Sequence, residues 1–226
     1  MQVVPFSLNE LRGTFTPQFA EWDRCADTAD SLRAKAVRRV IKRLASSSLE
    51  IPEAAQPGFY VFMDDRSFGI SQIQYVGIAK TVRRPIRGRI VDRLRDDSGL
   101  DTALDGVSDD EFRRVVSRRL LTALPQSGLN YVEKHLSVAK LFRRSSMAAI
   151  IPCNAGETAI VEAEKALIGS AALAGAPLFN RQNRSYRGTL DDGIHDLASE
   201  VIDACSEVGL RNDGAEDWKS ALSSLR

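Results

Sequence analysis

Two short runs of β-forming residues constrain this chain more than any other feature. Gly58-Phe59-Tyr60-Val61-Phe62-Met63 and Ile73-Gln74-Tyr75-Val76-Gly77 are both rich in aromatic and β-branched side chains, the types that suit a pleated surface. Between them lies Asp64-Asp65-Arg66-Ser67-Phe68-Gly69, which is turn chemistry, so the two runs are expected to pair as an antiparallel hairpin with a loop longer than the tightest ones. Met147-Ala148-Ala149-Ile150-Ile151-Pro152 is the third strand candidate, ended by its proline and by the Asn154-Ala155-Gly156 turn. Most of the remaining chain carries helical spacing. The expected class is therefore α+β, a small three-stranded antiparallel sheet flanked by helices.

The first helix expected, over residues 28–47, takes its apolar spacing from Leu32, Ala36, Val40, Ile41 and Leu44 and fills the rest with Arg33, Lys35, Arg38, Arg39, Lys42 and Arg43. Ser46-Ser47-Ser48, Pro52 and Pro57 punctuate its end and set a boundary near residues 48–56. A helix is expected after Pro85 to about Leu94, with Arg87, Arg89, Arg93 and Arg95 as its cations. Asp109-Asp110-Glu111 opens another, with acidic residues at the positive end of the dipole. Further helices are expected over about 130–142, from Glu157 to about Leu173, and over about 194–208 and 215–224. The organisation expected is a basic helical N-terminal arm (1–50), a core (55–185) with a helical insertion (about 96–144), and a helical C-terminal tail (186–226).

Charge and cysteine content bound the function classes. Lys and Arg number 31 against 30 acidic residues, a net charge of +1, so the chain has no overall basic coat and local runs matter more. Several cations in the first helix, Arg38 and Lys42 among them, are the types that read a DNA backbone, although a solvated face is an equal reading. Cys25, Cys153 and Cys205 are odd in number and far apart, which suggests neither a disulfide framework nor a zinc site and fits a reducing cytoplasm with core thiols. No apolar run approaches the roughly 20 residues a membrane helix needs, so no membrane role is implied.

The order Gly58-Phe59-Tyr60, then Tyr75-Val76-Gly77, then an arginine-bearing helix resembles the GIY-YIG nuclease family. The resemblance continues in Glu164-Lys165-Ala166-Leu167-Ile168 and Pro177-Leu178-Phe179-Asn180, and it covers roughly residues 57–95 and 145–182. Each segment alone is common. Their joint order is what carries the likeness.

The resemblance implies a metal-dependent endonuclease acting on double-stranded DNA, with a sequence-specific restriction enzyme as the expected kind. Repair or mobile-element nicking is the alternative duty, and a DNA-binding module that keeps the fold without cutting is the alternative class. Hydrolysis of a phosphodiester needs a nucleophilic water, charge stabilisation on the nonbridging oxygens and help for the leaving oxyanion. By the resemblance, Glu164 holds one Mg2+ or Mn2+, with water and phosphate filling the other positions. Tyr75 or Tyr60 takes the proton from water, helped by Lys80 or the metal, since a phenol ionises near about 10. Arg89, with Arg87 as runner-up, forks onto the phosphate; Arg93 falls where many members have histidine or tyrosine and is left to bind phosphate. Asn180 closes the site by holding backbone or a tyrosine. A palindromic target implies a two-fold homodimer.

Overall fold

The computed structural model describes residues 1–94, 100–126, 129–188 and 190–225, so that Arg95 of the helix expected after Pro85 lies outside the described residues. The chain divides into two compact units. The first comprises Met1–Ser7, Ile51–Arg89 and Ser145–Arg226; the second comprises Leu8–Glu50 and Ile90–Arg144. The N-terminal helices thus share a unit with the helical insertion, and the C-terminal helices share one with the sheet.

The first unit is built on strands β1 (Val4–Ser7), β2 (Gly58–Met63), β3 (Ile73–Ala79) and β4 (Met147–Pro152), in the order β1-β4-β2-β3 with every neighbour antiparallel. This corrects the expectation of three strands. β1 is short and contains Pro5, which weakens its reading as a strand. A proline is tolerated there because β1 lies at the edge of the sheet, paired on one side only to β4. The β2–β3 hairpin forms as its residue types require, Tyr60 facing Gly77 and Phe62 facing Tyr75.

One face of the sheet offers Phe59, Val61, Met63, Val76, Ile78, Ala149 and Ile151 to the core. Against it pack residues of α6 (Glu157–Leu173), α7 (Asp192–Glu207) and α8 (Asn212–Ser223). Helix α6 offers Ile160, Ala163, Ala166, Leu167 and Ala171, and its many alanines let neighbouring backbone approach closely. Trp218 of α8 is fully buried and satisfies its indole N–H on the Leu167 carbonyl at 3.1 Å and Ser170 Oγ at 3.0 Å. Helix α7 starts where Asp191 accepts the Ile194 N–H at 2.9 Å.

The second unit is helical: α1 (Leu8–Asp27), α2 (Ser31–Ser48), α4 (Asp109–Ala123) and α5 (Leu129–Arg144). Helix α3 (Ile86–Leu94) contains the point at which the chain passes from one unit to the other. Ser108 caps α4 by accepting the Glu111 N–H at 3.2 Å, ahead of the acidic first turn. Within the helical arm expected over 1–50, the residue pattern sets no bounds for α1, which contains Gly13 and Pro17; tertiary burial of Leu8, Leu11, Phe15, Phe19, Trp22 and Cys25 outweighs those weak helix formers. The apolar stripe expected of α2 is also corrected. Ala34, Val37, Ile41 and Ala45 are buried, whereas Leu32 and Val40 remain 79% and 43% exposed. Small alanines occupy the close contacts, and only Ile41 belongs to both stripes. Among the described residues no helix is long and apolar enough to cross a membrane.

Candidate active site

Strand alternation sends Tyr60, Phe62, Tyr75 and Gly77 to the face of the sheet opposite the α6–α8 core. The three rings form one cluster. Tyr60 stacks on Tyr75 with centroids 6.1 Å apart and meets Phe62 edge-on at 5.8 Å, and Phe62 lies 6.1 Å from Tyr75. Gly77 is the seat on which the Tyr60 ring rests: a Cβ at that position would lie 2.4 Å from Tyr60 Cζ. No side chain larger than hydrogen fits there without moving the ring. Tyr60 is 0% exposed, while Tyr75 is half-buried and keeps access to solvent.

The backbone around Tyr75 is held from outside the sheet. β3 is an edge strand, and the groups it turns outward are covered by the segment that follows α6. Phe179 N–H donates to the Gln74 carbonyl at 2.8 Å. The Asn180 side chain completes the pairing. Its Oδ1 accepts the Val76 N–H at 3.0 Å, and its Nδ2 donates to the Val76 carbonyl at 2.7 Å. A single carboxamide thus stands in for a neighbouring strand beside Tyr75, and it does so at 7% exposure. The chain reaches this position through a tight helix end. Ala176 N–H donates to the Ala171 carbonyl at 2.9 Å, and Gly175 adopts a φ of +93° that other residues rarely take.

Glu164 sits half-buried on α6, next to core-facing Ala163. Seven residues earlier and so on nearly the same face of the helix, Glu157 pairs with Lys80 Nζ at 3.9 Å. Lys80 is therefore engaged with the start of α6, in a role the sequence did not suggest. Lys165 donates to Glu162 at 2.7 Å, and this hydrogen bond, with the charges of Glu162, Tyr186 and Glu164 adding to it, holds its ammonium above the ordinary lysine value. Arg87 and Arg89 lie in the first turns of α3, where Ile86 N–H donates to the Gln56 carbonyl at 3.1 Å. Both arginines are half-buried, and among the described residues neither makes an ion pair. Two positions apart on a helix, they point about 200° from one another, so one site receives one of them.

No family model, curated protein or solved structure matches this chain. The geometry therefore carries the functional argument alone. It brings Tyr60, Tyr75 and Asn180 into one constellation with Gly77, Phe62 and Phe179; Glu164, Arg87 and Arg89 belong to the same unit. Arg38, Lys42 and Arg93 fall in the other unit. Arg38 is half-buried with its Nη2 3.4 Å from the Tyr131 hydroxyl, whereas Lys42 is exposed. Among the described residues no three His, Cys, Asp or Glu side chains gather as a metal cage. The donor set, a single half-buried carboxylate at Glu164, suits a hard cation that keeps most of its water and does not suit a tightly coordinated one. Phe62 and Phe179 were missed from the sequence. Phe62 could have been found as the residue two positions from Tyr60 on the same strand face.

Proposed function

We propose that the chain is a metal-dependent endonuclease of the GIY-YIG type that hydrolyses phosphodiester bonds in double-stranded DNA, as a restriction enzyme does. The observation that carries this reading is Tyr75: a half-exposed phenol on a clamped edge strand, its peptide neighbour held by Asn180 and its ring backed by Tyr60.

In this reading Tyr75, as the phenolate left when its own proton has gone to solvent, accepts the proton of the attacking water as that water adds to phosphorus; the bond to the leaving oxygen breaks and the leaving oxyanion takes a proton from solvent. Arg89 presents a planar fork of N–H donors to the nonbridging oxygens, where charge accumulates in the transition state. Tyr60 positions Tyr75 from a buried seat. Asn180 is a positioning residue acting through the Val76 peptide. A cation at Glu164, when bound, supplies Lewis-acid polarisation of the phosphate.

The test is cleavage of supercoiled plasmid and genomic DNA with Mg2+, Mn2+ or EDTA by the wild type, Glu164→Ala and Tyr75→Phe. Discrete fragments that need metal and vanish in both variants support a sequence-specific nuclease using these residues. DNA binding with no cutting under any metal moves the chain to the class of non-cleaving DNA-binding modules. Cutting that survives both substitutions removes the site assignment.

A further inference from the structure

Helix α2 carries Arg33, Lys35, Arg38, Arg39, Lys42 and Arg43 and not one acidic residue between Ser31 and Ser48. Arg33 pairs with Glu21 of α1, and Arg38 reaches the Tyr131 hydroxyl of α5. Among the described residues, Lys35, Arg39, Lys42 and Arg43 make no ion pair. Arg39, Lys42 and Arg43 are exposed and Lys35 is half-buried. Helix α4 of the same unit is the contrast. All four of its arginines are paired: Arg113 with Glu133, Arg114 with Glu111, Arg118 with Asp23 and Asp27, and Arg119 with Asp23 and Asp101.

The unpaired set is arranged against the helix's own interest. Lys35 and Arg39, and Arg39 and Arg43, are like charges four residues apart, a spacing at which they repel one another. The buried stripe of Ala34, Val37, Ile41 and Ala45 points the other way, so the four cations share the outward side. From Lys35 to Arg43 they span about 12 Å of helix, a length over which duplex DNA presents about seven phosphate charges.

We propose that this outward face of α2 grips the phosphate backbone of a DNA duplex through Lys35, Arg39, Lys42 and Arg43, independently of base sequence. The choice of a duplex among polyanions rests on the nuclease reading above; the existence of an anion-binding face rests on the unpaired cations alone. An anionic membrane is disfavoured because an interfacial helix must turn a broad apolar face outward, and the large apolar side chains that α2 leaves exposed are two, Leu32 and Val40. Arg38, half-buried and turned to Tyr131, is excluded from the grip.

The experiment is fluorescence anisotropy of a labelled duplex titrated with the full chain in EDTA, so that binding is read without cutting, across a series of salt concentrations. The variant is Lys35→Gln/Arg39→Gln/Lys42→Gln/Arg43→Gln. The slope of log K against log salt is expected to shrink by about 3.6 in the variant, at about 0.9 per phosphate contact. Those four contacts account for a roughly 150-fold loss of wild-type affinity between about 50 and about 200 mM salt, a loss the variant does not show. Arg39→Lys/Arg43→Lys keeps the charge and keeps the slope. Arg113→Gln/Arg114→Gln, which removes cations already paired, leaves it unchanged. If the fourfold variant does not fold, Arg39→Gln/Arg43→Gln is expected to lower the slope by about 1.8. An unchanged slope overturns the proposal, as does retention by anionic vesicles, or competition by polyglutamate as strong as by duplex. A wild type that cuts no DNA, with the expected slope change in the variant, strikes the nuclease reading alone; a wild type that cuts, with an unchanged slope in the variant, strikes this proposal alone.

Discussion

Replacing Asn180 by alanine removes, in one step, the acceptor of the Val76 N–H and the donor to the Val76 carbonyl. Each buried group left unpaired costs about 1–3 kcal/mol, and some relief from water at the vacated site brings the expected total to about 2–4 kcal/mol. For a chain of this size that corresponds to a fall of about 5–15 °C in the melting temperature of the sheet-bearing unit. The two tryptophans allow that unit to be followed by itself. Trp218 belongs to it and Trp22 to the other, so urea and thermal melts in a Trp22→Phe background report the right transition. Asn180→Asp sharpens the test. The carboxylate still accepts from the Val76 N–H but presents a second acceptor to the Val76 carbonyl, and only its protonated form can donate there. The introduced carboxyl therefore has a folded pKa above its unfolded value of about 3.9. Its folded state binds the extra proton, so the deficit against wild type is smallest below about pH 4 and grows as pH rises through the folded value. A loss below about 0.5 kcal/mol for the alanine variant, small against the usual net value of one hydrogen bond, would refute the clamp. So would a pH-independent deficit for the aspartate variant.

Gly77→Ala places a Cβ 2.4 Å from Tyr60 Cζ and is expected to cost about 1–3 kcal/mol by overpacking in a urea melt. In a Tyr60→Leu background the same substitution costs little, and equal costs in both backgrounds refute the seat. Arg119 is 1% exposed between Asp23 and Asp101, so Arg119→Met strands the buried Asp101 carboxylate and destabilises the helical unit by about 3–5 kcal/mol. Adding Asp101→Asn recovers part of that loss, measured through Trp22 fluorescence. Burial pushes the Cys205 thiol well above the ordinary range, so the folded protein keeps its proton while the unfolded chain ionises. Above about pH 8.5 this contributes a loss of about 1.4 kcal/mol of stability per pH unit, absent in Cys205→Ala, until the folded thiol ionises. Iodoacetamide is expected to spare Cys205 in the native state and to reach it in guanidinium.

What the sequence made legible was decided locally. The hairpin, β4 and helices α3 to α8 have uninterrupted patterns with turn or cap residues at their ends, such as Ser108 and Asp191, and their bounds follow. β1 and α1 were decided by tertiary contacts. Pro5 and Pro17 argue against a strand and a helix respectively, and each segment holds its form through a partner: β4 pairs the first, and the second unit buries one face of the other. The phase of α2 failed for a related reason. Leu32 and Val40 looked like the apolar stripe, but close packing selected Ala34 and Ala45, whose value lies in being small.

The site divides along the same line. Period-2 alternation puts Tyr60, Phe62, Tyr75 and Gly77 on one face, and that much follows from residue order. That Asn180 would pair with a peptide 104 residues earlier does not, because a carboxamide fits many partners and only the path of the chain after α6 selects this one. Nor does the pairing of Lys80 with Glu157. Asn180 and Phe179 also have a purely structural use, since an uncovered edge strand invites pairing with other chains. That use accounts for the clamp in a protein that cuts nothing. It assigns no role to the Tyr75 hydroxyl or the Glu164 carboxylate, and substitution at each decides what it does. The nuclease reading is therefore tested at those two side chains, and Tyr75→Phe is the substitution that separates chemistry from architecture. It leaves the ring contacts in place and removes one oxygen. A stability near that of the wild type with cutting abolished assigns the oxygen to catalysis, and unchanged cutting returns the tyrosine to the fold.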